Sequence, residues 1–288
     1  MDFKNIDNWK STMKTIAKNR NLNIQDVQQR YVLEEFAVKI SKSNYKDQLI
    51  LKGGFVVSTL LGLNTRMTRD IDMTSISNIY NIEDITEIIT DITRTNTHSF
   101  FHYELVSIRP AQEDDHYSGF VVVLKATLDR TEIKFKLDIS NNTLIYPEAI
   151  DNQLKSLFSD ETIKLNTYLL ENIIAEKYET TLDRGEFNSR IRDIVDIYLL
   201  MKNNAFMIDN NLLATTIVEV SKDRETIHNL ADFKDIIDTL RSSVIFNENF
   251  NRYMLNQYPF MNIKLNDIFI VFENINEMVQ SFLDQLKI

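Results

Sequence analysis

The sequence predicts an α+β protein, in which an amino-terminal domain with a mixed sheet precedes a helical carboxy-terminal domain. Segments that alternate polar and apolar residues, as half-buried strands do, are confined to the first half of the chain. Apolar residues at helical spacing dominate the second half. We place the boundary near residue 150, so that residues 1–150 form the α/β domain and residues 151–288 form the helical domain.

The elements of the amino-terminal part follow in a definite order. Two helices are predicted between about residues 5 and 43, and an apolar run at 49–51 precedes a Gly-Gly pair, a helix-like segment and a strand-like segment at 69–74. A helix near 82–96 follows. Three segments then indicate neighbouring strands of one sheet: FFHYELVSI, FVVVLKATL and TEIKFKLDI. Beyond residue 150 the pattern is helical almost to the end.

Composition limits the kinds of site that the chain can contain. It has no cysteine, and its four histidines show no metal-ligand spacing, so any metal must be held mainly by oxygen. The net charge of −10 argues against non-specific coating of nucleic acid, although a local basic cleft is compatible with it. No apolar stretch reaches the roughly 18 residues of a membrane span, and the first residues are too polar for a secretory signal. We therefore expect a cytoplasmic protein.

Gly53 and Gly54 are conspicuous because the chain has only five glycines. They lie between the apolar run and a helix-like segment. Glycine amides at the start of a helix can approach a phosphate closely, where the helix dipole favours negative charge. A tight turn explains the pair equally simply, and for an isolated Gly-Gly it is the commoner case.

Three aspartates can meet on one face of the predicted sheet. Residues two apart in a strand point the same way, so Asp70 and Asp72 converge. Two carboxylates this close repel each other unless they hold a cation such as Mg²⁺, which prefers oxygen ligands. The alternation of TEIKFKLDI puts Asp138 on the polar face of its strand, where it can join the pair if the two strands are neighbours. A solvated strand face is the alternative for each segment.

Two helices of the second half carry charges where burial is expected. A helical wheel puts Lys177 in an apolar stripe, where an unpaired ammonium would be costly. It can reach a triphosphate or a metal-site carboxylate, or extend its amine to solvent. Asp193 and Asp196 lie on a helix that is apolar on most sides, so they should have specific partners. Ion pairs with Arg190 and Arg192 of the same helix are the simplest explanation.

Four motifs, in order, resemble those of the AbiEii/AbiGii toxin family: LKGGFVVSTLLGLNTRMTRDIDM, FKLDI, ENIIAEKYETTL and SRIRDIVDIYLL. The preceding QRYVLEEFAVKISKS is also similar to the family, so the resemblance spans residues 25–200 approximately. It implies a DNA polymerase β-like nucleotidyltransferase fold and an enzyme that uses an NTP with Mg²⁺. The last third of the chain is similar only in being helical.

The resemblance also implies roles for the acidic and glycine residues. Gly53 and Gly54 would lie beside the triphosphate. Asp70 and Asp72 would bind the metal and take part in catalysis, with Asp138 as a plausible third ligand.

The other candidates would contact the nucleotide. Lys177 would bind a phosphate and take part in catalysis. Asp193, assigned to catalysis, or Asp196, assigned to nucleotide binding, would complete the pocket. Arg66 and Arg69 flank the same site and would neutralise phosphate charge.

Two positions depart from the family pattern. Phe55 stands where relatives usually have Ser or Thr, so a hydroxyl contact to phosphate is absent or must come from Ser58 or Thr59. Arg192 replaces the usual Lys, which keeps the charge but changes its geometry.

Such a family implies a toxin paired with a separately encoded antitoxin, in a toxin–antitoxin or phage-defence system. Some relatives transfer nucleotides to the 3′ end of tRNA and so block translation, which makes tRNA the expected acceptor. A tRNA needs a basic groove, for which the candidates are Lys134, Lys136, Arg190 and Arg192. Two alternatives stay open: the same fold acting on a protein or small-molecule hydroxyl, and a degenerate transferase kept as a binding module.

Overall fold

The chain forms two compact units in a computed structural model, which describes residues 3–63, 65–77, 79, 81–97, 99–111, 118–141 and 143–286. Met1–Thr143 and Ala149–Thr167 make up the first unit. Leu144–Glu148 and Tyr168–Ile288 make up the second.

The helices of the first unit lie where the periodicity predicts them. Each of three begins after an asparagine whose side chain accepts a backbone N–H of the first turn, which is a strong start signal. The four helices in its described residues are α1 (Ile6–Arg20), α2 (Ile24–Lys42), α3 (Gly53–Leu61) and α4 (Ile82–Arg94).

The described strands form one mixed sheet of seven, in the spatial order β3-β4-β5-β2-β1-β7-β6. Their bounds are β1 (Leu49–Lys52), β2 (Asp70–Ser75), β3 (His102–Pro110), β4 (Gly119–Leu128), β5 (Thr131–Asn141), β6 (Ile150–Lys155) and β7 (Thr162–Thr167). The pairs β2–β5 and β1–β7 are parallel, and the others are antiparallel. The three β-rich segments are therefore neighbours, as predicted.

Strands β6 and β7 lie beyond residue 150, where the sequence predicted helices. They pair with each other in antiparallel fashion, and Ile163 and Leu165 of β7 are buried on either side of the exposed Lys164. Each strand has only six residues, too short for its alternation to outweigh the helical pattern that follows. The helix-rich part therefore begins near residue 170.

Helix α2 packs on one face of the sheet, and the polar residues of β5 lie on the opposite face. Phe36 is fully buried, and its ring centroid lies 5.3 Å from that of Phe135 on β5 and 5.5 Å from that of Tyr103 on β3. Lys134 and Lys136, which alternate with Phe135, are exposed. The charged residues of β5 consequently share the face opposite α2.

The second unit is helical in its described residues. Its helices are α5 (Leu170–Arg184), α6 (Ile191–Asn203), α7 (Asn210–Asp223), α8 (His228–Ala231), α9 (Phe233–Ser242), α10 (Val244–Gln257) and α11 (Leu265–Leu286), with short 3₁₀ turns at Gly185–Phe187 and Ala205–Met207. The ring of Tyr178 stacks against Phe272 at 5.2 Å in its core. Among the described helices, none has the length and apolar character needed to cross a membrane.

Candidate active site

Parallel pairing of β2 with β5 brings the predicted aspartates together. Asp72 lies directly opposite Asp138, and Asp70 lies opposite Lys136. Asp138 is half-buried, and its burial together with the negative charges of Asp72 and Asp70 raises its pKa to about 6. The condition set for Asp138, that its strand be a neighbour of β2, is therefore met.

This cluster has the chemistry of a site for a hard cation. Its donors are carboxylate oxygens, and a bound cation would relieve the repulsion that the pKa of Asp138 reports. In the part of the chain that the structure describes, however, no group of three or more such side chains is arranged to hold a metal ion. The assignment of Asp70, Asp72 and Asp138 as metal ligands therefore stays a prediction.

The glycine pair lets the start of α3 approach Asp72. Gly53 has φ +64°, and a Cβ at this position would lie 2.2 Å from Asp72 Oδ2. The Gly54 N–H donates to the same oxygen over 3.0 Å. A Cβ on Gly54 would lie 2.9 Å from Nη2 of Arg66. Gly53 is therefore required by its positive φ and by the nearness of Asp72, and the Gly54 N–H fixes one oxygen of Asp72.

Ser58, a candidate for a phosphate contact, has another role in the structure. Its side chain is fully buried, donates to the Phe55 carbonyl over 2.8 Å and accepts from Arg30 Nη1 over 2.7 Å. Arg30 also donates to Thr59 over 2.6 Å and lies 3.9 Å above the Phe55 ring. Burial lowers the pKa of Arg30 to about 10. We therefore assign Ser58 to holding α3 in place. Phe55, which stands where relatives usually have Ser or Thr, is assigned to stacking on Arg30.

The two flanking arginines differ in their surroundings. Arg66 is buried and donates to the Met67 carbonyl. Arg69 is exposed and forms an ion pair with Asp26 of α2 over 3.0 Å. Lys52, which sequence reasoning missed, lies opposite Asp72 in the β1–β2 pair. Only the strand register, which the sequence does not display, could have identified it.

The partner of Asp193 and Asp196 is Lys177 and not the local arginines. Lys177 forms ion pairs with both aspartates, at 3.0 Å from Nζ to Oδ2 of Asp196. The side chain of Lys177 is 12% exposed and that of Asp196 is fully buried. Packing of α5 against α6 provides this pairing, so Arg190 and Arg192 keep exposed side chains. The expected ion pairs within the helix are therefore wrong.

Comparison with solved structures defines the class of fold. A crystal structure from H. pylori described as a nucleotidyltransferase has 15% identity and a TM-score of 0.50, and the match covers 92% of this chain and 99% of that one. The crystal structure of JHP933 from Helicobacter pylori has the same identity and TM-score, with 92% of this chain and 97% of that one covered. The fold is thus that of nucleotidyltransferases. A search of curated protein sequences gives no significant match.

The family follows from the sequence. The model of the nucleotidyl transferase AbiEii toxin family, a type IV toxin–antitoxin system, matches residues 36–269. The chain belongs to this family, and it is a nucleotidyltransferase toxin whose substrate is an NTP and whose antitoxin is a separate protein. The predicted fold class, enzyme class and family are confirmed.

Replacing Gly53 by Ala tests the close approach of α3 to Asp72. The new Cβ would displace the carboxylate, so we expect nucleotidyl transfer to fall at least about 100-fold, as small misplacements of reacting groups do. Gly62→Ala is the matched control, because Gly62 also has positive φ (+80°) but an added Cβ there would meet no atom of the described residues within 4 Å. Both variants should lose about 1–3 kcal/mol of stability through backbone strain. Thermal unfolding and transfer rates check this, and equal activity in the two variants would contradict it.

Replacing Lys177 by Met tests the ion pairs of the second unit. The change leaves two carboxylates without this cation, which should cost about 3–5 kcal/mol of unfolding free energy at pH 7. Urea unfolding at pH 7 measures the effect, with the exposed Lys202→Met as control. An equal cost in the two variants would be incompatible with this assignment.

Proposed function

We propose that this toxin is an Mg²⁺-dependent nucleotidyltransferase that adds a nucleotide to the 3′ end of tRNA, and so inhibits translation and growth in phage defence. One observation supports the chemistry above all others. In a chain of this family, Asp72 faces Asp138 across paired strands, beside the glycine start of α3.

Asp70 and Asp72 would hold the metal ion, with Asp138 completing the oxygen donors. When bound, Mg²⁺ activates the attacking hydroxyl and stabilises the leaving pyrophosphate. In the reaction, the acceptor oxygen forms a bond to the α-phosphorus of the NTP, and the bond from that phosphorus to pyrophosphate breaks. The Gly54 N–H would keep Asp72 oriented throughout.

Positive side chains near the start of α3 would bind the triphosphate. Arg66 lies against Gly54, and Lys52 lies opposite Asp72. Arg69 would have to leave Asp26 to contribute, which costs little because exposed ion pairs are weak. For Lys177, Asp193 and Asp196, a contact to the nucleotide rests on the family resemblance alone, since their mutual ion pairs already account for their burial.

The acceptor would lie on the exposed face of β5. Lys134 and Lys136 precede Asp138 on the same face of this strand, at steps of about 7 Å. Lys136 and Arg109 act to lower the pKa of Asp138, so their charges act close to the acidic cluster. A cationic row beside the cluster, in a chain of net charge −10, supports an anionic acceptor such as RNA.

Labelling identifies the acceptor directly. The protein is incubated with total tRNA, Mg²⁺ and each α-³²P-labelled NTP in turn, beside the nearly isosteric Asp70→Asn/Asp72→Asn variant. We expect label on tRNA that the variant and EDTA abolish. Label on protein or on a small molecule would instead establish the alternative acceptor, which the net acidity also suits. Unchanged labelling by the variant would exclude the metal site.

Charge reversal tests the row on β5. Lys134→Glu/Lys136→Glu should weaken tRNA binding. The affinity of this variant should also fall less steeply with salt concentration than that of the wild type, by about one unit of slope for each lysine lost. Lys155→Glu/Lys164→Glu is the control, because it makes the same charge change at exposed positions of β6 and β7. Affinity for Mg²⁺–NTP checks that the site is intact. Equal tRNA affinity of the two double variants would rule out the row as the acceptor surface.

A further inference from the structure

An exposed aromatic residue and three arginines lie close together in the sequence, in and beside the connection between α5 and α6. Phe187, the last residue of the 3₁₀ turn Gly185–Phe187, is 85% exposed. Arg184 precedes this turn, and Arg190 and Arg192 follow it, all with exposed side chains. We call these four residues the Phe187 surface.

Folding alone does not account for this arrangement. In the described chain, none of the three guanidinium groups forms an ion pair with a carboxylate, because Lys177 occupies Asp193 and Asp196. Arg190 and Arg192 also lie at the start of α6, where the helix dipole disfavours positive charge. Single exposed apolar residues are common, but Phe187 shares a short segment with three arginines that form no ion pair among the described residues, which suits the segment to binding.

The connection itself is held in place by hydrogen bonds. The Asn188 N–H donates to the Gly185 carbonyl over 3.0 Å, and Asn188 Oδ1 accepts from the Arg190 N–H over 2.8 Å. Asn188 is buried, and its Nδ2 has no hydrogen-bond partner among the described residues. The ring and the guanidinium groups are thus presented by a structured turn that also retains a free donor.

We propose that the Phe187 surface binds an unpaired nucleotide of the RNA acceptor. The base would stack on the Phe187 ring, and neighbouring phosphates would accept from Arg184, Arg190 and Arg192. Glu186 and Asp183 leave the segment with a small positive charge, so stacking has to contribute as much as charge does. This inference rests on the proposed transfer to RNA.

Binding of a labelled single-stranded RNA of about 12 nucleotides, within the range of known single-strand sites, measures the effect by fluorescence anisotropy. Phe187→Ala should weaken binding about 5- to 160-fold, since stacking contributes roughly 1–3 kcal/mol per base. The control is Phe206→Ala, because Phe206 is 86% exposed in the other 3₁₀ turn of the same unit. Arg190→Ala/Arg192→Ala should lower the slope of log affinity against log salt by about 1.4.

The affinity for Mg²⁺–NTP should be unchanged in all variants, which separates an RNA surface from a site for the free nucleotide. If the wild type labels tRNA and Phe187→Ala matches Phe206→Ala in RNA affinity, the inference fails while the proposed function stands. If Phe187→Ala loses RNA affinity although no RNA is labelled, the surface stands and transfer to RNA fails. A wild type that neither binds nor labels RNA overturns both.

Discussion

The parallel pairing of β2 with β5 is the constraint on which the acidic cluster depends. It sets Asp72 opposite Asp138, although 66 positions separate them in the sequence numbering. A parallel pair needs a long crossover connection, and here α4, β3 and β4 lie between the two strands. A shift by one residue would turn Asp138 to the face that α2 covers. The alternation of buried residues on β5 prevents that shift, because Phe135 and Leu137 belong to the core.

A second set of charges, centred on Arg30, holds α2 and α3 together. Arg30 lies 3.9 Å from Glu34, and Glu34 accepts from the Leu157 N–H and from Ser156 in the connection after β6. Burial raises the pKa of Glu34 and lowers that of Arg30, so each charge depends on its partners. Buried ion pairs add little net stability compared with apolar packing. Their contribution here is to fix the position of α3, whose first amides meet Asp72.

Much of this fold is predictable because its signals are local. The strict alternation of β5 identified both the strand and the face of Asp138, and the wheel of α5 correctly put Lys177 in a buried stripe. The choice of partners across elements was not predictable in this way. Three features depend on which segments pack together. They are the register that places Lys52 opposite Asp72, the hydrogen bond between Ser58 and Arg30, and the ion pairs of Lys177. Periodicity within a segment carries no information about that choice.

The first unit is not continuous in sequence, since residues 144–148 belong to the second unit and the chain then returns for β6 and β7. All three aspartates of the cluster have therefore been synthesised before β7, which is one of the two strands that pair with β1. Leu51 of β1 can pair with Thr167 of β7 only after Thr167 has left the ribosome. This pairing completes the sheet on that side of β1, the strand that precedes the glycine pair. Until then the nascent chain carries an incomplete sheet with an unpaired edge, which is the kind of intermediate that chaperones protect. The sheet that carries the cluster is therefore completed only after all three aspartates have been synthesised.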